Sequence, residues 1–279
     1  MSRPGSLSTE QPLPALRIVE AEAVHLHEDP DPQRVEALVG RITADGMLRN
    51  PPVAAVLPGG GVVVLDGANR TTALRRLRMA AHLLQIVDYA SPQIRLEVWR
   101  HLLREDGPAL ERLLPSDLLT EVSGPEELAA ALSDGRLACG LISGARIRGV
   151  SSSGGFAERI GALRTVVAAY TGRLPIYRVL TDDLDELREE YDRIGALVLF
   201  PTFTKEQILT LAVLSDKLPT GITRHVIPHR ALRVNVPLEL LRRPGSLQEK
   251  NAALGALIHE RLLAHRVRVY PEPTVLFDD

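Results

Sequence analysis

Four consecutive apolar residues, Val62-Val63-Val64-Leu65, end in Asp66-Gly67 and lead without a gap into Ala68-Asn69-Arg70-Thr71-Thr72-Ala73-Leu74. A short unbroken apolar run of this kind is a buried strand. Asp-Gly breaks it sharply. Ala73, Leu74 and Leu77 then predict a helix over Thr71 to Arg78. A strand feeding straight into a helix leaves the first helical N–H groups unpaired, and the positive end of the helix dipole lies beside Asp66, Asn69 and Arg70. Such a start is a ready anion site, and Arg70 adds a forked donor. Asp66 can hold a cation or orient a hydroxyl. A plain turn with Asn69 or Thr71 as cap accounts for the same spacing, so spacing alone leaves both readings open.

The flanking elements follow from periodicity. Leu16, Ile18 and Val24 mark a first strand and its exit, followed by a polar loop, His25 to Pro30. Asp31-Pro32 opens a helix with Val35, Leu38, Val39 and Ile42 on one face, and Gly46 ends it. Strands are expected at Pro51 to Val56 and Leu83 to Val87, a helix from Ser91 through Ile94, Val98 and Leu102, and a mobile loop at Gly149 to Gly155. Further on, helices are expected at Ala157–Tyr170, Asp183–Tyr191, from Thr204 and at Leu247–Ala264. Strands are expected at Ala196–Phe200, Leu232–Val236 and Val267–Tyr270. The mixture predicts a two-lobed α+β chain.

Composition removes several classes. The chain of 279 residues, 45 % hydrophobic and 24 % charged, is long enough for one large or two smaller globular domains. Residues 1–105 hold 12 Arg and no Lys against 12 Asp plus Glu, which disfavours nucleic acid as a partner. Cys139 is the single cysteine, so neither an intramolecular disulfide nor a cysteine-based zinc site can form. No stretch approaches the apolar length of a membrane span. Residues 1–14 read as a flexible tail rather than a signal peptide, so the expected compartment is the cytoplasm. No Walker A pattern is present.

The wider pattern resembles the ParB/sulfiredoxin fold, and within it the free L-serine kinases, which comprise an archaeal ADP-dependent enzyme and bacterial ATP-using relatives. His27-Glu28 precedes the first helix, and Asp45-Gly46-Met47-Leu48-Arg49-Asn50-Pro51-Pro52 enters the next strand. Leu65-Asp66-Gly67-Ala68-Asn69-Arg70 follows, with Asn69 where the family usually has His. Val87-Asp88-Tyr89 closes the lobe, and Trp99 is expected on the next helix. Pro219 to His225 and Arg233 to Leu238 resemble motifs of the family's second domain.

The resemblance implies a ParB/sulfiredoxin-like nucleotide-binding lobe at 15–105 and a larger mixed α/β substrate lobe at 106–279. It implies phosphoryl transfer from ADP or ATP to the hydroxyl of free L-serine, with Glu28 as base. Asp66 would assist it and hold Mg²⁺. Gly67, Ala68, Asn69, Arg70, Thr71 and Thr72 would hold the phosphates, and Trp99, Thr223, Arg224, His225 and Arg233 the serine. A homodimer is left open. The alternative is a non-catalytic ParB-like nucleotide-binding regulator of transcription or partitioning, in which Asn69 marks lost catalysis. His25, His27 and Glu28 in one loop also raise a weaker metal reading.

Overall fold

The structure, a computed structural model, describes residues 13–104, 107–152 and 154–270. The expected tail therefore falls, over residues 1–12, outside the described residues, as does Ser153 of the expected Gly149 to Gly155 loop.

The first lobe is built from β1 (Ala15–Glu20), β2 (Val24–Leu26), α1 (Pro32–Asp45), β3 (Met47–Leu48), β4 (Val53–Val56), β5 (Val62–Asp66), α2 (Ala68–Arg76) and β6 (Ala81–Val87). Five of its strands form one sheet in the order β1-β6-β4-β5-β2. Along β5, Val63 and Leu65 face a core shared with Val53 and Ala55, while Val62 and Val64 face another with Ala54 and Leu84. Burial on both faces explains an apolar run without polar alternation. Asp31 caps α1, accepting from the N–H groups of Gln33 (2.9 Å) and Arg34 (3.1 Å), and Gly46 ends the helix at φ 63°. Helix α2 starts at Ala68, earlier than the expected Thr71. Gly67 takes up the whole turn itself at φ 103°, and any Cβ there would come within 2.9 Å of Pro52.

The remaining elements are β7 (Arg95–Val98), β8 (Arg100–Leu103), α3 (Gly107–Leu113), β9 (Leu119–Glu121), α4 (Pro125–Ser133), β10 (Leu137–Ser143), β11 (Arg146–Ser151), α5 (Phe156–Tyr170), β12 (Ile176–Val179), α6 (Leu184–Glu190), β13 (Ala196–Leu199), α7 (Lys205–Val213), β14 (Thr223–Val226), β15 (Val236–Pro237), α8 (Leu238–Arg242) and α9 (Leu247–Leu263). A second sheet runs β12-β8-β13-β10-β11-β9, and β14 pairs with β7. Helices α5, α6, α7 and α9 and strand β13 lie where their periodicity and caps put them. Both α7 and α9 start with a reciprocal capping box, Thr204–Gln207 and Ser246–Glu249.

Four expectations fail, three of them for identifiable reasons. The helix from Ser91 is instead β7 and β8, with Trp99 between them. Strand β8 is interior to its sheet, so adjacent Leu102 and Leu103 are both fully buried, and the spacing of Ile94, Val98 and Leu102 only mimics a helical face. Gly149 is not part of a loop but of β11. A side chain there would meet Leu137 at 2.5 Å, so its smallness serves packing. Leu232 to Val236 is almost wholly irregular, because Arg233 and Asn235 adopt left-handed backbone conformations that no strand accommodates. Val267 to Tyr270 forms no strand.

The chain crosses between the lobes again after β14. Val234, Val236, Leu238, Leu241 and Leu254 pack with Ile18, Val35, Leu48, Leu74 and Leu83 of the first lobe. Asn251 on α9 clips β1, accepting from the Ile18 N–H (2.9 Å) and donating to its carbonyl (2.8 Å). The connecting strap is held at several points. Gln85, almost fully buried on β6, donates to the His229 carbonyl (3.0 Å) and accepts from the Ala231 N–H (2.8 Å). Asn50 accepts from the Arg233 N–H (2.7 Å).

Candidate active site

Parallel strands deliver two carboxylates to one edge. β2 pairs in parallel with β5, Leu26 opposite Val64, so the chain leaving β2 at His27-Glu28 runs beside the chain leaving β5 at Leu65-Asp66. From the second lobe, Leu218 joins the same edge. Its N–H donates to the His27 carbonyl (3.0 Å), and its carbonyl accepts from the Asp29 N–H (2.7 Å). The crevice is thus bounded by the ends of β2 and β5 and by the Leu218 segment.

Glu28 is half-buried there. The N–H of Gly221 points at its Oε2 from 3.5 Å, and the Arg178 guanidinium lies close by. Burial pushes its carboxyl up to about 7, against the lowering pull of Gly221 and Arg178. Gly221 sits at φ 83°, and a Cβ on it would collide with Arg178. Its loop is fixed from behind by His101, whose Nε2 donates to the Gly221 carbonyl (2.9 Å), leaving Nδ1 to accept from the Tyr170 hydroxyl (2.7 Å).

Asp66 has the opposite character. Burial alone would raise its pKa, but Arg230 and Arg70 together hold it below the ordinary carboxylate value. Arg70 donates to Oδ2 at 2.7 Å, and Arg230 pairs with the same oxygen. The two carboxylates of the crevice thus divide into an ionised one and one poised near neutrality, the arrangement that acid–base chemistry needs.

At the start of α2, the Thr71 N–H closes the first turn on the Gly67 carbonyl (2.9 Å), which leaves the amides of Ala68 and Asn69 outside the helix's own hydrogen-bond ladder. Thr71 is fully buried, and Thr72 donates its hydroxyl to the Ala68 carbonyl (2.9 Å). Neither threonine presents a side-chain donor at this helix start. Arg70 is spent on Asp66 and the Asn50 carbonyl (3.0 Å). Asn69 accepts from the Asp31 N–H (2.7 Å), which leaves its amide NH₂ as a neutral donor.

Strand β14 splits the expected serine-reading group. Thr223 and His225 face the crevice, each hydrogen-bonded there. Thr223 Oγ lies 2.9 Å from His27 Nε2, and His225 Nε2 is 2.8 Å from the Tyr89 hydroxyl. Burial pushes His225 down to about 3, so its ring is neutral. Arg224 points the other way, paired with Glu97 at 2.5 Å and stacked over Trp99 at 5.1 Å. Arg233 is exposed on the strap beside Asn50. The structure therefore gathers Glu28, Asp66, the α2 start, Thr223 and His225, and leaves Arg224, Trp99 and Arg233 outside that cluster.

Sequence reasoning missed His27 as a structural partner, Arg178, Arg230, Gly221 and Gln85. Only Gly221, a glycine beside Thr220 and Ile222, carried a local signal. The metal reading of His25, His27 and Glu28 fails, because both His27 nitrogens are engaged by Val64 and Thr223. Among the described residues no group of three or more His, Cys, Asp or Glu side chains could hold a metal. A magnesium ion is often held by one carboxylate together with substrate phosphates and water, and ionised Asp66 suits that role.

This α+β chain has the fold of the free serine kinases. It superposes on a free serine kinase in complex with AMP with a TM-score of 0.71 at 20 % identity, over 85 % of this chain and 98 % of the other. In sequence it is similar to the ATP-dependent L-serine kinase SbnI of Staphylococcus aureus, 22 % identical over 239 residues, 84 % of this chain and 87 % of that protein. It is also similar to the ADP-dependent L-serine kinase SerK of Thermococcus kodakarensis, 24 % identical over 226 residues, 80 % of this chain and 91 % of that protein. No protein-family model matches the chain. Among the described residues no helix is long and apolar enough to cross a membrane.

Proposed function

We propose that this protein transfers the terminal phosphoryl group of ADP or ATP to the hydroxyl of free L-serine, giving O-phospho-L-serine. The observation that carries this reading is the convergence of Glu28, at the edge of β2, with the uncapped start of α2, in a chain that resembles serine kinases over most of its length.

An alcohol is a weak nucleophile at neutral pH and needs a positioned base. Glu28, with a pKa of about 7, accepts the serine proton as its oxygen attacks the phosphorus. Phosphoryl transfer otherwise depends on positioning and on neutralising charge. The amides of Ala68 and Asn69 at the start of α2 grip the donor phosphates, and the Asn69 NH₂ adds a neutral contact. Arg230 supplies charge from the second lobe. Mg²⁺ entering with the nucleotide would be held by Asp66 and would neutralise phosphate charge. Of the guanidiniums, Arg178 is better placed than Arg224 or Arg233 to read the serine carboxylate, since it already lies against Glu28 and Gly221. A nucleotide donor suits a reaction in the cytoplasm.

The test is phosphorus NMR of the purified protein with serine, Mg²⁺ and ADP or ATP. Phosphoserine should form, and Glu28→Gln should abolish it. Nucleotide binding with no turnover of serine would favour a regulator instead.

A further inference from the structure

Glu28 enters the crevice on a segment tied down at both of its neighbours. The Leu218 N–H donates to the His27 carbonyl (3.0 Å), and the Asp29 N–H donates to the Leu218 carbonyl (2.7 Å). These two bonds form an isolated bridge outside any longer ladder. Three residues past Leu218 comes Gly221, whose N–H faces the Glu28 carboxylate. The span 218–221 therefore sets how near that amide stands to Glu28. A third tie reaches the same segment from α5. Arg164 donates from one nitrogen, Nη1, both to Oδ2 of Asp29 (2.5 Å) and to the Lys217 carbonyl (3.1 Å). It thus joins the residue after Glu28 to the residue before Leu218. Both ends of this tie are firmly seated. On α5, Ile160, Leu163, Val166 and Val167 are buried in the core. Lys217 donates its Nζ to the carbonyls of Leu211 (2.7 Å) and Ala212 (2.9 Å) at the end of α7.

The side chains of Arg164 and Asp29 are 40 % and 43 % exposed. An ion pair that wet adds little to stability. What it adds is geometry, because the same guanidinium nitrogen also holds the main chain of the facing loop. We infer that Arg164 is a positioning residue for the phosphoryl transfer: through Asp29 and the Lys217 carbonyl it holds the Glu28 segment against the 218–221 loop and keeps the Gly221 amide on the carboxylate. This inference rests on the serine kinase reading and adds what keeps its base in register. Glu28 is also faced by Arg178 of β12, Asp66 of β5 and the Thr223 hydroxyl of β14. Gly221, Arg178 and Thr223 favour the ionised carboxylate, and Asp66 opposes it. Slackening the loop withdraws the Gly221 amide, so the carboxyl holds its proton to higher pH.

The experiment is carbon-13 NMR of the side-chain carboxyls of the full-length protein, titrated across neutral pH, with the Glu28 resonance assigned through Glu28→Gln. Arg164→Ala and Asp29→Ala are measured beside the wild type, together with thermal melts. Each substitution removes a part-exposed side chain and leaves the core intact. Both variants are expected to raise the Glu28 midpoint by about 0.5–1 pH unit, the worth of one ordinary hydrogen bond, with little change in melting. In turnover each loses about two- to fivefold in kcat/KM near neutral pH, because less of the base is ionised there. The shared direction is decisive. Deleting a cation by itself raises the pKa of a nearby carboxyl, whereas deleting an anion by itself lowers it. Midpoints that move in opposite directions would show that only charge reaches Glu28 and would overturn the inference. Midpoints unmoved in both variants would overturn it as well. No serine turnover in the wild type, with both midpoints raised, would count against the kinase reading and leave this one standing. Turnover with both midpoints unmoved would sink this one alone.

Discussion

The side-chain oxygen of Asn69 accepts a hydrogen bond from the backbone N–H of Asp31 at 2.7 Å, joining the first turns of α1 and α2. Asn69 is thus a latch between two helix starts as well as a phosphate contact. Replacing it with alanine should cost about 1 kcal/mol of stability, the worth of one hydrogen bond. The same change should raise the KM for nucleotide more than that for serine. Denaturant melts and initial rates with each substrate varied would check this: unchanged stability would contradict the latch, and equal shifts in both KM values would contradict the phosphate contact.

Glu28 makes activity and stability run in opposite directions with pH. As the base, it must be ionised, so kcat/KM should rise with pH through about 7. Its folded pKa lies above that of the unfolded chain. Between the two values the folded state holds the extra proton, and stability falls as pH rises. Glu28→Gln should abolish the rising limb of the rate profile. It should also stabilise the protein at pH 8 relative to wild type, with the difference shrinking toward pH 5. Thermal melts at the two pH values give the sign directly.

Arg230 and Arg70 share one oxygen of Asp66 but differ in their other ties. Arg70 also supports the Asn50 carbonyl, so Arg70→Gln should lower stability by about 1–3 kcal/mol. Arg230→Gln should lower kcat at least about tenfold with little effect on melting, as expected for a charge aimed at the transition state. Gln85→Leu, which frees the strap on both sides of Arg230, should reproduce the kcat loss. A variant that melts early yet turns over normally would point to a purely structural clamp.

Gly221 offers a steric test. Its left-handed backbone and its contact with Arg178 both disfavour a side chain. Gly221→Ala should destabilise the fold by about 1–2 kcal/mol and move the pH midpoint of the rate, because it displaces both the amide and the guanidinium that face Glu28. Unchanged midpoints would show that neither group reaches the carboxylate.

The sequence was legible where local chemistry sets the outcome. Asp31-Pro32, Gly46, Thr204–Gln207 and the run ending at Asp66-Gly67 are signals contained within a few residues, and each lies where its caps or breaks put it. Glu28, Asp66, Thr223 and His225 could be picked out as candidates, and the structure brings them to one crevice. Trp99 and Arg224 illustrate the limit. Alternation along β14 turns Arg224 away from its neighbours, and nothing local announces that 223–226 is a strand paired with β7. Arg178 and Arg230 were invisible because each reaches the site from a distant segment. Arg178 enters from β12, and Arg230 from an irregular strap whose left-handed residues hide it from any periodic reading.

The return of Val234 to Leu254 into the first lobe has a bearing on how the molecule is made. A ribosome emits β1 through β6 long before the residues that cover their outer face, so the nascent sheet must wait, with apolar surface open, for almost the entire message to be read. Contacts between chain segments so far apart slow folding. They also mean that an interruption of synthesis before α9 leaves apolar surface around Ile18 and Leu83 uncovered.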